Sequence, residues 1–292
     1  MLQLHRGQEA SADGSVICSY SADDYGMFQN LCHYPAAKHA KGDMRKIFDW
    51  DTNKYHGEIP EAAQTYNVIG NINEWQVTIG ETTYGGREEM VDSTGIMDYG
   101  SLIYVALQRS KTAREAIKVM TTLANTYGYN SEGETFTICD PKEAWIMEMM
   151  GKGPGSKGAV WVAMRIPDDA ICAHANQSRI GKFNMKDKQN VMYAKDVVSF
   201  ARSKGWYQAR MPTSLGRWHT PSLISLVVAS VMLVPGLDEP LQGPEPVCGL
   251  GIGQGPKCQG YASLGSARQE GERAGRGERD ARPLRGHTAL CG

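Results

Sequence analysis

Few side chains in this sequence could act together on a reacting group. No Gly-x-Ser-x-Gly motif occurs, and the seven histidines fall in segments that read as loops or tail, which disfavours a Ser-His-Asp triad. We expect the remaining polar candidates, which follow predicted strands, to converge at one edge of a sheet. They are Asp23, the Asn73-Glu74 turn, Glu81 with Thr82 and Thr83, and the stretch HANQSRI with Asn176 and Arg179.

Each of these candidates also has a structural interpretation. Asn73 could be a turn residue that tolerates a left-handed backbone, and Asp23 could form an Asx turn or a cap. Asn176 could be a hydrogen-bonding residue at the sheet edge, and Arg179 could pair with a substrate carboxylate or with a carboxylate of the protein. Cys18 could act as a nucleophile, although an internal strand cysteine usually packs as a small apolar side chain.

The composition argues against metal, nucleic-acid and membrane binding. Seven cysteines without CxxC or HxxxH spacing fit neither a disulfide framework nor a zinc site, so we assign no metal and no cofactor. The 31 basic and 32 acidic side chains leave a net charge of −1, which favours small or uncharged partners. The apolar run SLISLVVASVMLV at 222–234 has 13 residues and is too short to span a bilayer.

The sequence patterns predict a layered α+β domain. Alternation in GSVICSYS predicts a strand at 14–21, and TYNVIGNINEWQVTIGE reads as two strands, about 65–72 and 75–81, joined at Asn73-Glu74. Strands, two helices and then strands again favour sheets with helices packed outside over a doubly wound parallel sheet.

Two helices and a meander follow in the second half of this domain. DYGSLIYVALQRS predicts a buried helix, and KTAREAIKVMTTLANTYG predicts another, with a Thr112-x-x-Glu115 capping box and an end at Gly128. ETFTICD, EAWIMEMMG and AVWVAMRIP predict three strands, and a last helix covers about 191–204. The glycine-rich GKGPGSKG reads as a hairpin loop and not as a phosphate-binding loop, because no helix follows it.

The composition changes near residue 207. The chain has 14 Lys and 8 Arg through Tyr207, but 1 Lys and 8 Arg after it, where Asn and Phe are absent. Gly and Pro are frequent there, and such a segment buries too little apolar surface to fold. We therefore predict a domain at 1–207 and an atypical tail at 208–292 that is either disordered or translated from another reading frame.

Several separate stretches resemble one enzyme family. GQEASADGSVICSYSADDYGMF, GNINEWQVTIGETTYGG, DYGSLIYVALQRSKTAREAIKVM and AHANQSRI have the order and spacing of the cysteine dipeptidases in the N-terminal nucleophile (Ntn) hydrolase superfamily, relatives of penicillin V acylase and bile salt hydrolase. The resemblance covers residues 1 to about 207. It implies a truncated αββα sandwich, of which this chain holds the N-terminal part, and hydrolysis of dipeptides.

The resemblance also implies a mechanism. In that family the mature chain begins with cysteine, whose own α-amino group, with a pKa of about 8, acts as base toward the thiol. The backbone N–H of Asn73 and the side-chain amide of Asn176 would form the oxyanion hole. Asp23 would orient the ammonium and the thiol, and Arg179 and Glu81 would bind the substrate.

Two positions depart from the family's pattern. Counting back from GQEASADGS places the initial cysteine at position 1, where this sequence has Met1, and Tyr20 stands where the family often has arginine. A thioether has no proton to lose and does not acylate. We therefore expect the chain as written to be inactive, and its start to be altered by the same kind of frame or start-site error as its tail.

Two other functions stay open at this point. The chain could be a peptide-binding pseudoenzyme that keeps the pocket without the nucleophile, or an amidase that acts on a non-peptide acyl amine. We expect small peptide substrates and neither nucleic-acid nor membrane partners. No signal peptide is visible in this sequence, so the cytoplasm is the default location, while the resemblance leaves export open and the oligomeric state is not readable.

Overall fold

The computed structural model describes residues 2–21, 31–180 and 183–206, with the backbone alone for residues 2–6. Fifteen strands and three α-helices lie in these ranges. The strands are β1 (Leu2–Arg6), β2 (Ile17–Ser21), β3 (His33–Tyr34), β4 (Ala37–Lys38), β5 (Met44–Phe48), β6 (Tyr55–Pro60), β7 (Gln64–Thr65), β8 (Val68–Ile69), β9 (Ile72–Asn73), β10 (Thr78–Gly85), β11 (Gly133–Cys139), β12 (Ala144–Gly151), β13 (Ala159–Ile166), β14 (Ile171–His174) and β15 (Val191–Tyr193). The helices are α1 (Tyr99–Leu107), α2 (Ala113–Tyr127) and α3 (Val197–Ser203).

Most of these strands belong to one large antiparallel sheet. Its eight strands follow the order β15-β13-β12-β11-β10-β9-β8-β3, and β11, β12 and β13 form the predicted meander. A second antiparallel sheet has the order β14-β1-β2, and the pairs β4-β7 and β5-β6 form two small ribbons. The described part of the chain therefore has a mixed α+β fold, as the sequence predicts.

The central strands of the large sheet are buried on both faces. Alternation along β10 and β11 places Ile79 and Phe136 on one face and Thr82 and Thr137 on the other. Helices α1 and α2 contact these strands, and so do β1 and β2 of the second sheet. Because His174 of β14 contacts both threonines, the second sheet covers the threonine face.

Helix α2 begins and ends at the residues that the sequence predicts. The Thr112 hydroxyl accepts a hydrogen bond from the Glu115 N–H (3.2 Å), and the Glu115 carboxylate accepts one from the Lys111 N–H (2.8 Å). Gly128 follows the last turn with φ of 85°, a backbone region that favours glycine. Helix α1, also predicted, is confirmed and is buried along nearly its whole length.

The hairpin before β10 differs from the prediction. Instead of two strands at 65–72 and 75–81, the chain forms the short strands β7, β8 and β9 before the longer β10. The turn is also longer than the predicted Asn73-Glu74 connection. The Asn73 N–H donates to the Val77 carbonyl (3.0 Å) and the Asn73 carbonyl accepts from the Gln76 N–H (2.9 Å), while Gln76 has φ of 62°.

Two further predictions are corrected at the ends of the domain. The predicted strand at 14–21 begins at Ile17, because the Asp13 carboxylate holds Ser15 in a turn. The predicted helix at 191–204 is split: Val191–Tyr193 pairs as β15 with the edge of β13, and only Val197–Ser203 is helical. A sheet edge offers backbone partners to a nearby apolar segment, and this pairing outweighs local helix preference.

None of the helices within the described ranges combines the length and the apolar character that crossing a bilayer requires. The apolar run at 222–234 and the rest of the predicted tail lie outside the described residues.

Candidate active site

Strand β10 has an edge that no strand of the described ranges covers beyond its first residue. Strand β9 pairs with β10 at Thr78, whereas β11 pairs along the whole length of the opposite edge. The Asn176 side-chain amide donates to the Thr83 carbonyl oxygen (2.7 Å). The Thr82 hydroxyl donates to the Ala175 carbonyl oxygen (3.2 Å). Residues 175–180, which we call the post-β14 segment, therefore reach the uncovered edge.

The first strand begins beside this segment. Gln3 of β1 pairs with His174, the last residue of β14, and Leu2 pairs with Ser21, the last residue of β2. Asn176 follows His174 by two residues, so its amide lies near the end of the second sheet at which β1 begins. Three features thus meet here: the beginning of β1, the post-β14 segment and the uncovered edge of β10.

Two predicted site residues cannot be placed against this geometry. Met1, the position of the family's nucleophile, and Asp23, the predicted orienting carboxylate, both lie outside the described residues. Their assigned roles stay predictions.

His174 is a buried, neutral residue between the two sheets. Its Nδ1 lies 3.0 Å from the Thr82 hydroxyl and its Nε2 lies 3.0 Å from the Thr137 hydroxyl. Burial, and to a lesser degree the charge of Arg179, lower the pKa of His174 to about 4, so the ring is neutral at pH 7. The prediction that the histidines lie in loop-like or tail segments is wrong for His174, because β14 carries it into the core.

Glu81 and Glu134 form a buried carboxyl pair beneath the edge. The exposed fractions are 3% for Glu81 and 1% for Glu134, and the two carboxyls interact with each other. The Tyr20 hydroxyl donates to Glu81 Oε1 (3.0 Å), and the Thr83 hydroxyl donates to Glu134 Oε1 (2.8 Å). Burial raises the pKa of Glu81, and burial together with the Glu81 charge raises the pKa of Glu134 well above its ordinary range. Burial and the repulsion between the two charges therefore favour the protonated form of Glu134.

Asn73 has a dense set of structural hydrogen bonds. Its side-chain amide donates to the carbonyl oxygens of Leu107 (2.7 Å) and Ser110 (2.8 Å), and its Oδ1 accepts from the N–H groups of Trp75 and Val77. Its backbone N–H donates to the Val77 carbonyl oxygen (3.0 Å). A role of that N–H in an oxyanion hole would require this last bond to open.

Asn73 also lies far from Asn176 along the sheet. Asn73 lies opposite Val77, immediately before β10, whereas Asn176 contacts Thr83 near the other end of that strand. Six residues of extended chain span about 20 Å. The structure therefore brings Asn176 to Thr83, two residues along β10 from Glu81, and leaves Asn73 beside the beginning of that strand.

Arg179 lies in the post-β14 segment with its guanidinium half-buried. Within the described ranges it makes no ion pair, and its Nε is buried without a hydrogen-bond acceptor. Its charge acts on His174 and Glu148, which places the guanidinium near both. A cation in this position could bind an anionic group of a ligand.

Glu148 is the residue near this site that sequence reasoning missed. It lies on β12 with 2% of its surface exposed, and its carboxylate accepts hydrogen bonds from the Ser178 hydroxyl (2.8 Å) and from the N–H groups of Arg179 and Ile180. Burial raises its pKa, and these bonds oppose that rise. The signal was available: Glu148 is the one charged residue in the otherwise apolar run AWIMEMMG, and a buried charge requires partners.

Cys18, the other candidate nucleophile, lies elsewhere on the second sheet. It is half-buried on β2 opposite His5, three residues or about 10 Å along β1 from Leu2. A hydrogen bond with the Cys139 thiol lowers the pKa of Cys18 and raises that of Cys139. In the ranges that the structure covers, no cluster of three or more His, Cys, Asp or Glu suits a metal ion.

Comparison with known proteins agrees with the sequence resemblance. A probable dipeptidase of Salmonella dublin is 29% identical over 226 residues, which cover 70% of this chain and 49% of that protein. A probable dipeptidase of Latilactobacillus sakei is 25% identical over 214 residues, covering 66% of this chain and 43% of that protein. A probable dipeptidase B of Streptococcus pyogenes is 24% identical over 220 residues.

The chain spans about half the length of these curated relatives. The sequence profile of Peptidase family C69 matches residues 3–219, which is most of the chain and includes every element described above except the first residue of β1. On this match, the chain belongs to peptidase family C69.

Proposed function

We propose that this chain carries part of a dipeptide-hydrolysing site of the cysteine type, located where β1 begins beside the uncovered edge of β10. One observation carries the proposal: the Asn176 amide is held at the Thr83 carbonyl, next to the strand that begins the chain. The family match and the dipeptidase names of the relatives support it.

The proposed reaction is acyl transfer through a residue at position 1. A cysteine there would lose its thiol proton to its own α-amine, and the thiolate would attack the peptide carbonyl carbon. The carbonyl oxygen would become an oxyanion, which the Asn176 amide would stabilise by hydrogen bonding. The leaving amine would take the proton, and water would then release the acyl group from the sulfur. Asp23 would orient the ammonium in this scheme.

The residues at the end of β10 suggest how a dipeptide is held. We propose that the Arg179 guanidinium binds the substrate carboxylate, because no carboxylate within the described ranges pairs with it. Glu81 would face the substrate amine. Tyr20, which stands where the family often has arginine, donates to Glu81 and would order that carboxylate.

The proposed architecture is the αββα sandwich of the Ntn hydrolases. Two antiparallel sheets in contact, with helices α1 and α2 against the larger one, are compatible with the first three layers of such a sandwich. In this view the part that the curated relatives have beyond their match would supply the remaining elements.

The first test restores a thiol at position 1. We expect Met1→Cys, made with an initiator methionine that aminopeptidase removes, to hydrolyse dipeptides, because the terminal cysteine supplies both nucleophile and base. The variant is assayed alone and also extended by the C-terminal part of the Salmonella relative. Adding Asn176→Ala should then lower kcat by about 10²- to 10³-fold, which is typical for one oxyanion donor.

The unaltered chain with Met1 and the Met1→Ala variant are the matched controls, and both should show no turnover. Binding of a dipeptide by the unaltered chain, measured by calorimetry, would fit the pseudoenzyme alternative. Met1 favours that alternative, because a thioether cannot form an acyl-enzyme. Turnover of an acylated amine but not of dipeptides would indicate the amidase alternative. If neither cysteine form hydrolyses any dipeptide, the proposed function is wrong.

A further inference from the structure

A row of polar residues crosses the core between the two sheets. Thr82 on β10 pairs with Thr135 on β11, and Thr135 pairs with Glu148 on β12, so the three side chains share one face. Their exposed fractions are 0%, 0% and 2%. An interior sheet face normally carries apolar side chains, because a buried polar group without partners is costly.

Two members of this row find their partners in a single stretch of chain. Thr82 contacts the His174 ring and the Ala175 carbonyl. Glu148 accepts from the hydroxyl or the N–H groups of three consecutive residues, Ser178, Arg179 and Ile180. Hydrogen bonds from Thr82 and to Glu148 therefore hold both ends of the post-β14 segment against the large sheet.

Asn176 lies between these two attachments. It follows His174 by two residues and precedes Ser178 by two, and its amide donates to the Thr83 carbonyl on the edge of β10. A residue between two fixed points so close together has few backbone conformations. The Glu148 carboxylate thus limits where Asn176 and Arg179 can lie, although it contacts neither of their side-chain polar groups through a hydrogen bond.

We propose that Glu148 is a positioning residue of the candidate active site: by accepting three hydrogen bonds from residues 178–180, it holds the Asn176 amide and the Arg179 guanidinium at the end of β10. This inference rests on the proposed function. It assigns Glu148 no contact with the substrate. Its effect on the reaction passes through Asn176 and Arg179.

Three variants separate this role from general stability. Glu148→Ala removes all three acceptor contacts. Glu148→Gln keeps Oε1, which receives both N–H groups, while its new amide can donate to the Ser178 hydroxyl. Met147→Ala removes buried volume from the same strand on the opposite face, where Met147 is 0% exposed and pairs with Phe136 and Ala163.

The first set of measurements uses the chain with Met1 and requires no enzymatic activity. The side-chain amide signal of Asn176, assigned in a ¹⁵N spectrum by its loss in Asn176→Asp, reports the bond to Thr83. We expect Glu148→Ala to shift or broaden this signal and to speed amide exchange of Arg179 and Ile180 at least tenfold relative to β13. In Glu148→Gln, the Asn176 signal and the exchange rates of Arg179 and Ile180 should be close to those of the parent chain. Met147→Ala should leave the Asn176 signal in place.

The second set of measurements follows hydrolysis in the Met1→Cys background. A misplacement of about 1 Å can cost about a hundredfold in rate, so we expect Glu148→Ala to lower kcat by about that factor. The kcat of Glu148→Gln should be within tenfold of the parent value, and that of Met147→Ala within threefold. All variants are compared at a temperature at which they are folded.

The two sets of measurements keep the two proposals distinguishable. An inactive parent enzyme would contradict the proposed function, and the Asn176 signal would still decide whether Glu148 holds the segment. If Glu148→Ala changes the Asn176 signal, the exchange rates and kcat no more than Met147→Ala does, Glu148 is an ordinary core residue and the positioning role is wrong.

Discussion

At the scale of single residues, the partners of a side chain decide what it can do. Asn73 and Asn176 are the same residue type, yet Asn73 joins a hairpin to the end of a helix while Asn176 reaches an uncovered strand edge. His174 is held neutral between two hydroxyls and cannot serve as a positively charged group at pH 7. Burial sets these chemical states, and residue type alone does not.

The neutral state of His174 makes a prediction about acid stability. Its pKa is about 4 in the folded protein against an ordinary value of 6.5, so the unfolded chain takes up the proton first as the pH falls. Stability from this group is complete above pH 6.5 and is lost between pH 6.5 and 4, by about 3 kcal/mol.

Urea unfolding of the wild-type chain and of His174→Gln across this pH window measures the effect. Buried acids such as Glu81 and Glu134 have raised pKa values and act in the opposite direction, but both proteins contain them, so the difference between the two curves isolates His174. The difference should change by about 3 kcal/mol from pH 7 to pH 4. A constant difference would show that His174 does not stay neutral in the fold.

At the scale of elements, local signals predict helices well and short strands poorly. Helix α2 has its cap at Thr112 and its end at Gly128, and both signals act within a few residues. The short strands β7 and β15 depend on partners distant in sequence, and their extents were not predicted correctly. Strands β8 and β9 form a tight local hairpin that the apolar pattern did not separate. A glycine with a positive φ is also a local requirement of the chain, and substitution by alanine tests it.

Gly128 should be the least replaceable residue at the end of α2. Its φ is 85° with ψ of 159°, a region that is essentially limited to glycine, and an added Cβ would lie 2.7 Å from the Gly95 Cα. We expect Gly128→Ala to lower the free energy of unfolding by about 3 kcal/mol.

Gly155 is the matched control for this substitution. It has φ of 71° in the β12-β13 hairpin loop, and an added Cβ would meet nothing within 4 Å. Gly155→Ala should therefore cost only about 1 kcal/mol, the strain of the backbone angle alone. Thermal unfolding of the two variants compares them directly, and equal losses would mean that the contact with Gly95 does not limit the helix end.

At the scale of the whole molecule, buried polar side chains join elements that are remote in sequence. The Asn73 side chain connects the β9-β10 hairpin to the carbonyl of Leu107, the last residue of α1, and to that of Ser110, three residues later. Glu148 connects β12 to the post-β14 segment. Such links fix how layers are placed, because a displaced layer would leave the buried groups unpaired.

Asn73→Ala should therefore destabilise the fold more than it affects catalysis. It leaves the carbonyls of Leu107 and Ser110 unpaired, and we expect a loss of about 3 kcal/mol. Asn71, which is half-buried and donates to the Ile79 carbonyl (2.7 Å), is the matched control, and Asn71→Ala should cost about 1 kcal/mol.

The same pair of variants tests whether catalysis depends on the Asn73 side chain, which holds the backbone N–H predicted for the oxyanion hole in its hairpin. In the Met1→Cys form, well below the unfolding temperature, a purely structural Asn73 predicts a kcat/KM within threefold of the parent for both variants. A hundredfold loss confined to Asn73→Ala would instead show that catalysis depends on the position of this hairpin and would contradict a purely structural Asn73.

The sequence by itself determined the family, the mixed α+β class, both long helices and the three strands of the meander. These follow from capping residues, from apolar runs and from motifs in a characteristic order, all of which are local or linear properties. Asn176 was a candidate from its motif alone, and the structure then placed it at the uncovered edge of β10.

Only the tertiary structure decided which candidates meet. It separated Asn73 from Asn176 by most of a strand, placed His174 in the core, paired the carboxyls of Glu81 and Glu134, and brought Glu148 to the post-β14 segment. Strand register and layer packing join residues that are tens of positions apart in sequence. Because such contacts are set by burial of the whole domain, no spacing within a single segment predicts them.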